Sequence, residues 1–587
     1  MARLCKFRSG WRKLLPAVCL WSGGLVLLLS NSASAQELNQ LAARGSQLVK
    51  ERCYVCHGET FNGSAQLNVL DPVALAEHGY VVAGSLEESG LWQRVESADM
   101  PPEDSGIPPL NLEERQVLAD WIAAGAPQVQ RQIRAFKPLT QVIHDIHTDI
   151  TAVSREDRIY QRYFTFTHLA NNYEQVSDFD MRLYRAAFVK TLNSLSYQPD
   201  IHHPVFIDAE QTICRIDLRR VGWDHKLWAW LTSKYPYGVH YHHALDEQLA
   251  DIDRRIDELS GCQLCYLRAD WFINHATRPP VYDRLAKIPD HVGQLERTLN
   301  VNFEANYRDN NLARAGFATS GVSTGNRLVE RHSALFGYYW KSYDFTDKGA
   351  EGNLFRFPLG PEFPSNRYPE MAFEHDGGEM IFSLPNGLQA YMLTDAKGNK
   401  IDRGPIAVVR DSKEISGNPE VLNGLSCMHC HRHGMIGFED SVRDGLGVFG
   451  AAASKVRQLY PEKEKMLAWV NQDRQRFLAA LQQCIGPYLQ IGDDANRPIE
   501  DFAEPVGAVA RFYQRDLNAI SLACEVGFES PEKLCGIIEF HRDLIRLGLA
   551  PIANGATIKR SQWESRDAFV SPFQETVRII GKATPLN

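Results

Sequence analysis

Leu41, Gly45, Leu48 and Val49 recur at three- and four-residue intervals and give one apolar face of a helix that ends at Arg52-Cys53. A second helix opens in Pro109-Leu110-Asn111-Leu112-Glu113-Glu114. Asn111 is placed as its N-cap, Glu114 closes a capping box, Val117, Leu118, Trp121 and Ile122 form its apolar side, and Gly125 stops it. The stretch between reads as irregular and holds Asp99-Met100-Pro101-Pro102. From about Ala135 the pattern becomes aromatic-rich, with no Gly/Ser-rich linker. Helical spacing predicts helices over 156–172 and 179–196, the latter with Met181, Leu183, Tyr184, Ala187, Phe188, Leu192 and Leu195 as apolar positions. Phe206-Ile207-Asp208 and the segment 212–218 alternate like strands, 224–231 resumes a helix, and Tyr235-Pro236-Tyr237-Gly238 is a turn.

Between Leu354 and Val409 the period falls to two. Met380-Ile381-Phe382-Ser383-Leu384, a Pro385-Asn386-Gly387 turn and the run 388–393 predict a hairpin with Asn-Gly at its tip, and 395–400 makes a further turn. Long helices return over 452–481. No internal repeat is evident. The pattern therefore predicts a small all-α unit followed by a large α+β unit.

At the N-terminus, Arg3, Lys6, Arg8, Arg12 and Lys13 precede an apolar run through Leu29 and a small-x-small Ala33-Ser34-Ala35. This is the pattern of a secretory signal peptide over residues 1–35, with cleavage expected before Gln36. An uncleaved anchor is the alternative, but Pro16 and Gly23-Gly24 interrupt a run already short for a bilayer span. No other stretch approaches 18 apolar residues, so the mature chain is expected to have no membrane span and to be periplasmic or secreted. Without the five leader cations, 58 basic residues face 72 acidic, a formal charge of −14. That balance argues against nucleic acid and anionic lipid as partners and suits steering towards a basic redox protein.

Two pentapeptides carry the chemistry: Cys53-Tyr54-Val55-Cys56-His57 and Cys427-Met428-His429-Cys430-His431. Cys-x-x-Cys-His is the attachment signal for c-type haem. Two thiols add across the porphyrin vinyl groups, the spacer sets their separation, and the adjacent imidazole lies under the iron as proximal ligand. The alternative is reduced thiols beside a surface histidine. Two such pentapeptides among 12 Cys and 19 His are improbable by chance. Cys262-Gln263-Leu264-Cys265 has the weaker spacing without the following histidine and is ambiguous with a redox dithiol or half a zinc site.

The order Cys-x-x-Cys-His, then a loop Met followed by Pro, then a terminal helix ending in Trp121-Ile122 resembles the class I cytochrome c family over roughly Leu38 to Pro127. The resemblance implies His57 as proximal and Met100 as distal haem ligand, a ligation that raises the reduction potential and leaves no open position for substrate. Met100 as a packed core residue is the alternative. The whole chain looks like a dihaem c-type cytochrome: a class I-like domain over 36–134, a mixed α+β region over 135–420 with hairpins, and a second haem-attachment segment with C-terminal helices over 421–587, packed with 135–420.

At the second haem, His431 is the expected proximal ligand and the distal one is open. His429, His433 and Met435 lie too close in sequence to reach round easily; His375, Met380, Met392 and Met466 are more distant candidates. If no side chain fills the position, an open iron fed by the first haem is the arrangement of a dihaem peroxidase or oxidase. Phe373-Glu374-His375-Asp376-Gly377-Gly378-Glu379, with a Gly-Gly bend, and the cluster Arg327, Glu330, Arg331 and His332 are candidate polar groups over it, or otherwise a solvated turn and a charged helix face. His144, His147, His202-His203, His240 and His242-His243 fit no closed metal site by spacing. Cys214, Cys262, Cys265, Cys484, Cys524 and Cys535 form an even set suited to disulfides, with Cys524–Cys535 the first expected pair. The expected function is electron transfer through two covalently bound haem c groups, held by Cys53, Cys56, His57, Met100, Cys427, Cys430 and His431. A dihaem oxidoreductase with an open second haem is the alternative.

Overall fold

The computed structural model describes residues 35–54, 57, 69, 72–102, 107–129, 133–244, 246–318, 325–346, 354–445, 447–566 and 570–586. The expected leader, apart from Ala35, lies outside the described residues, as do Val55 and Cys56. Among the described residues no helix is long and apolar enough to cross a membrane.

The N-terminal domain is built on two helices, Ala35–Arg52 and Leu112–Ala123. The second starts as its sequence dictates: Asn111 Oδ1 accepts from Glu114 N (2.9 Å) and Glu114 Oε2 accepts from Asn111 N (3.0 Å). The helices meet at Gly45, where a Cβ would stand 2.5 Å from Trp121 Cγ, so the crossing tolerates no side chain. Leu48, Val49, Val95, Leu118 and Ile122 fill the core between them. The stretch expected to be irregular contains two short helices, Pro72–Glu77 and Gly90–Glu96. Each is too short to repeat a helical period, which is why the pattern misses them.

The large unit holds two main sheets. One has the order Val205–Phe206, Ile213–Asp217, Gln161–Thr165, Tyr266–Arg268. Its strand Gln161–Thr165 corrects the helix expected over 156–172. The segment is instead a 3-10 turn, this strand and a short helix, Thr167–Asn171. All five strand residues are buried, antiparallel to one neighbour and parallel to the other, so no polar alternation marks the strand. The helix Asp178–Ser194 forms behind its Ser177 capping box as expected.

The other sheet is an antiparallel meander of Leu312–Phe317, Arg327–Ala334, Gly337–Asp344, Gly377–Ser383, Gln389–Asp395 and Lys400–Ile401. The hairpin around Asn386-Gly387 is present, with Met380 opposite Met392 and Gly387 at φ 88°. Two expectations change. Gly377-Gly378 is no bend but the start of a strand, where neighbouring backbones come close: a Cβ on Gly377 would stand 2.6 Å from Thr394 O, and one on Gly378 would collide with Ser342 O. Arg327, Glu330, Arg331 and His332 lie on a strand, so alternation sends Glu330 and His332 to one face and Arg327 and Arg331 to the other. The expected Cys524–Cys535 bridge is also absent. Both are free thiols, and Cys535 Sγ donates to Ile552 O (3.7 Å).

Glu330 is fully buried between Arg314, whose Nε donates to it at 2.7 Å, and His332, whose Nε2 lies at 2.7 Å. Burial pushes this carboxyl up, but the guanidinium and the imidazole more than offset it and hold Glu330 at about 2. A carboxyl depressed on folding contributes stability that is present above its unfolded value of about 4.3 and is lost as pH falls towards 2. Glu330→Gln strands Arg314 and is expected to cost ~3–5 kcal/mol at pH 7. Denaturant unfolding at pH 7 and near pH 2.5 checks this. The variant and wild type should converge at the lower pH, and equal stabilities at pH 7 would contradict the assignment.

Candidate haem centres

Cys53 and Tyr54 leave the C-terminus of the helix Ala35–Arg52 in a turn. Cys53 N donates to Val49 O and His57 N to Cys53 O, both at 2.9 Å, while Val69 N closes back on His57 O. Burial pushes the His57 imidazole below its usual range, which keeps a neutral lone pair available to a metal. Its Nδ1 is buried with no hydrogen-bond partner among the described residues. Met100, half-buried in the same domain, is anchored by its N–H to Arg94 O (3.0 Å) and followed by the buried Pro101.

The second pentapeptide occupies the short helix Leu425–Cys430 in the large unit. Gly424 before it has φ 84°, and a Cβ there would stand 2.7 Å from Thr277 O and 2.9 Å from Tyr282 Cγ. Only glycine makes this entry into the helix without strain. His431 N donates to Cys427 O (2.8 Å). Its Nδ1 stands 3.3 Å from Gly434 O, a carbonyl that can only accept, so Nδ1 donates there and fixes the ring's orientation. The ring stacks on Tyr391 at 6.0 Å between centroids.

Cys427, Cys430 and His431 line a cavity of about 920 Å³, within the usual size for cofactor pockets. Its walls are apolar, with Val329, Trp340, Ile381, Val408, Val421 and Phe438, and cationic groups including Arg52, Lys413 and Arg474 also reach it. This donor set fits a haem: two thiols, one imidazole, apolar walls, and cations able to pair with propionates. It does not fit a redox dithiol, which needs a lowered thiol pKa. Burial pushes Cys430 up to about 12 and Cys427 well above the usual thiol range.

Several residues singled out from sequence converge here and others do not. Glu379 does: its Oε2 lies 3.5 Å from His431 Nε2. Burial raises its carboxyl, but the hydrogen bond and charge of His431 outweigh that and hold it below the usual carboxylate range. Arg327 and Asp344, 2.6 Å apart, also line the cavity, as do His429, His433 and Met435. Burial pushes His433 down to about 4. His375, Met380, Met392 and Met466 are not among the lining residues. His375 packs against Tyr343 and Phe373 in a separate core, and Met380 and Met392 face away from the cavity on their strands. Trp340, Lys341 and Asp344 carry no sequence signal, because their strand reaches the cavity only through the meander.

The segment leading into Cys53 lies beside the second pentapeptide. Glu51 and Arg52, immediately before Cys53, and Ile107 and Pro108 of the N-terminal domain complete the wall of the second cavity. The helix Pro505–Tyr513 touches both. At Gly507 a Cβ would stand 2.8 Å from His429 Nδ1, and at Phe512 the ring packs 6.4 Å from that of Tyr54.

A family model, Planctomycete cytochrome C, matches the chain over residues 53–104. The segment begins at Cys53 and includes His57 and Met100. The N-terminal domain is thus a c-type cytochrome domain, a class that carries covalently bound haem c and serves haem-based electron transfer. No curated protein and no solved structure matches the chain.

Gly424→Ala should lower the thermal midpoint, because left-handed φ and the carbonyl of Thr277 both oppose a Cβ. Gly536→Ala, within the helix Pro531–Phe540, meets nothing and should be neutral or stabilising. Equal midpoints for the two variants would contradict the proposed fit of the second attachment helix.

Proposed function

We propose that this chain is an exported dihaem c-type cytochrome that mediates electron transfer, with a class I-like first domain and a second haem in the cavity of the large unit. The observation that carries the reading is the placement of a second Cys-x-x-Cys-His against a cavity of about 920 Å³ whose wall is completed by the residues preceding the first. Two haems held in this way would supply one-electron transfer between neighbouring centres. The protein's own residues do the rest. Cys53, Cys56, Cys427 and Cys430 provide the thioether sulfurs, His57 and His431 the proximal nitrogens, and Met100 the distal sulfur of the first centre. Gly434 O orients His431 by accepting from Nδ1. Trp340, Val329 and Ile381 exclude water from the second cavity. The acidic surface suits a basic redox protein as partner.

A second reading, an oxidoreductase with an open position at the second haem, is favoured by one observation. None of the distant side chains expected as sixth ligand lines the cavity, whereas Glu379, Arg327 and Asp344 do. Such a site places proton-carrying and cationic groups where a small polar substrate would sit. Carbon monoxide added to the half-reduced and fully reduced protein separates the readings. Binding at one haem supports the open site, and no binding at either supports the carrier.

Mass spectrometry of the exported protein should give two covalent haems and an N-terminus at Gln36, and Cys427→Ala with Cys430→Ala should remove one haem. A single haem in the wild type would overturn the dihaem reading. Met100→Ala should abolish the long-wavelength charge-transfer band of thioether-bound ferric iron and lower the potential of one haem while leaving the other. An unaltered spectrum would move the ligand role elsewhere.

A further inference from the structure

Away from both attachment segments, a strand end and a helix face bring two imidazoles and two carboxylates together. His240 ends the short strand Val239–His240, which pairs with Thr584–Pro585 near the C-terminus. His242 follows two residues later, and the two rings lie 4.6 Å apart between centroids. The helix Glu247–Ser260 presents Asp253 and Asp257, four residues apart and therefore on one face. One donor atom each from His240, His242 and Asp253 lies within 4.8 Å of the others. His242 Nε2 stands 3.1 Å from Asp257 Oδ2 and 3.5 Å from Asp253 Oδ2. Donor atoms around a tetrahedral ion with bonds of ~2.0–2.1 Å are ~3.3 Å apart, so small side-chain rotations close His240, His242 and Asp253, and Asp257, 3.1 Å from His242 Nε2, turns in to join them.

Two further observations point to a cation. His240 Nδ1 is buried with no hydrogen-bond partner among the described residues, although a buried imidazole nitrogen is costly to leave unpaired. The two carboxylates crowd one another without an ion pair to Lys or Arg among the described residues. A divalent ion would relieve both conditions.

We propose that His240, His242, Asp253 and Asp257 form a tetrahedral site for Zn²⁺. Two nitrogen and two oxygen donors suit a borderline divalent ion, and a four-residue set leaves no open position, the mark of a structural site. The ion staples the strand Val239–His240 to the helix Glu247–Ser260 and thereby fixes the C-terminal strand paired with it. None of the four residues lines the haem cavity, so the site is independent of the redox centres.

The test uses the full-length, tag-free holoprotein, stripped with chelator, equilibrated with equimolar Zn²⁺ and desalted. Elemental analysis should give one zinc per chain besides its iron, and zinc should raise the thermal midpoint. His240→Ala and His242→Ala should each lose the zinc and its thermal shift while keeping the haem spectrum. Absence of stoichiometric zinc in the wild type, or its retention in either variant, overturns the proposal. Should a variant fail to fold, X-ray absorption of the wild-type zinc decides: a shell with two imidazoles and oxygens supports the site, and one without two imidazoles overturns it.

Discussion

The arrangement depends on how closely one helix approaches the second attachment segment. Gly507 lets Pro505–Tyr513 come so near that a side chain there would meet His429 and Glu504. The helix is held in that position by Glu504, which caps its first N–H groups and is buried in an ion pair with Lys190 at 2.7 Å. Removing one partner of such a pair is expected to cost ~3–5 kcal/mol, far more than a surface pair contributes. The far end of the same helix meets the N-terminal domain through Phe512 and Tyr54, and Arg515 lies 4.6 Å over the Tyr54 ring. One rigid element therefore sets where the two Cys-x-x-Cys-His segments stand.

Charge completes the docking. Lys50 pairs with Asp180 of the large unit, and Arg497 pairs with Glu51 at 2.8 Å, all four largely shielded from water. These contacts come from the last turn of the helix that leads into Cys53. These ion pairs tie the segment leading into Cys53 to the large unit.

Local rules make part of this legible in the sequence. The Asn111–Glu114 capping box and the Asn386-Gly387 hairpin each depend on residues a few positions apart, and each forms as expected; the two pentapeptides are legible for the same reason, as short fixed spacings. The strand Gln161–Thr165 is not legible because both its faces are buried and no alternation survives. The cavity is not legible because its walls come from strands, loops and a helix more than a hundred residues apart in sequence. Glu379 is noticed for its chemistry, yet its approach to His431 follows from the register of a sheet. His375, Met380 and Met392 look equally suitable in sequence, and strand parity and a separate core carry them elsewhere.

The central claim is that two haem centres share one rigid protein frame, and spectroelectrochemical titration of the full-length exported protein tests it most directly. Two one-electron steps of comparable amplitude are predicted, with one step lost when Cys427 and Cys430 are replaced by Ala. A single one-electron step in the wild type, unchanged in that variant, would contradict the account.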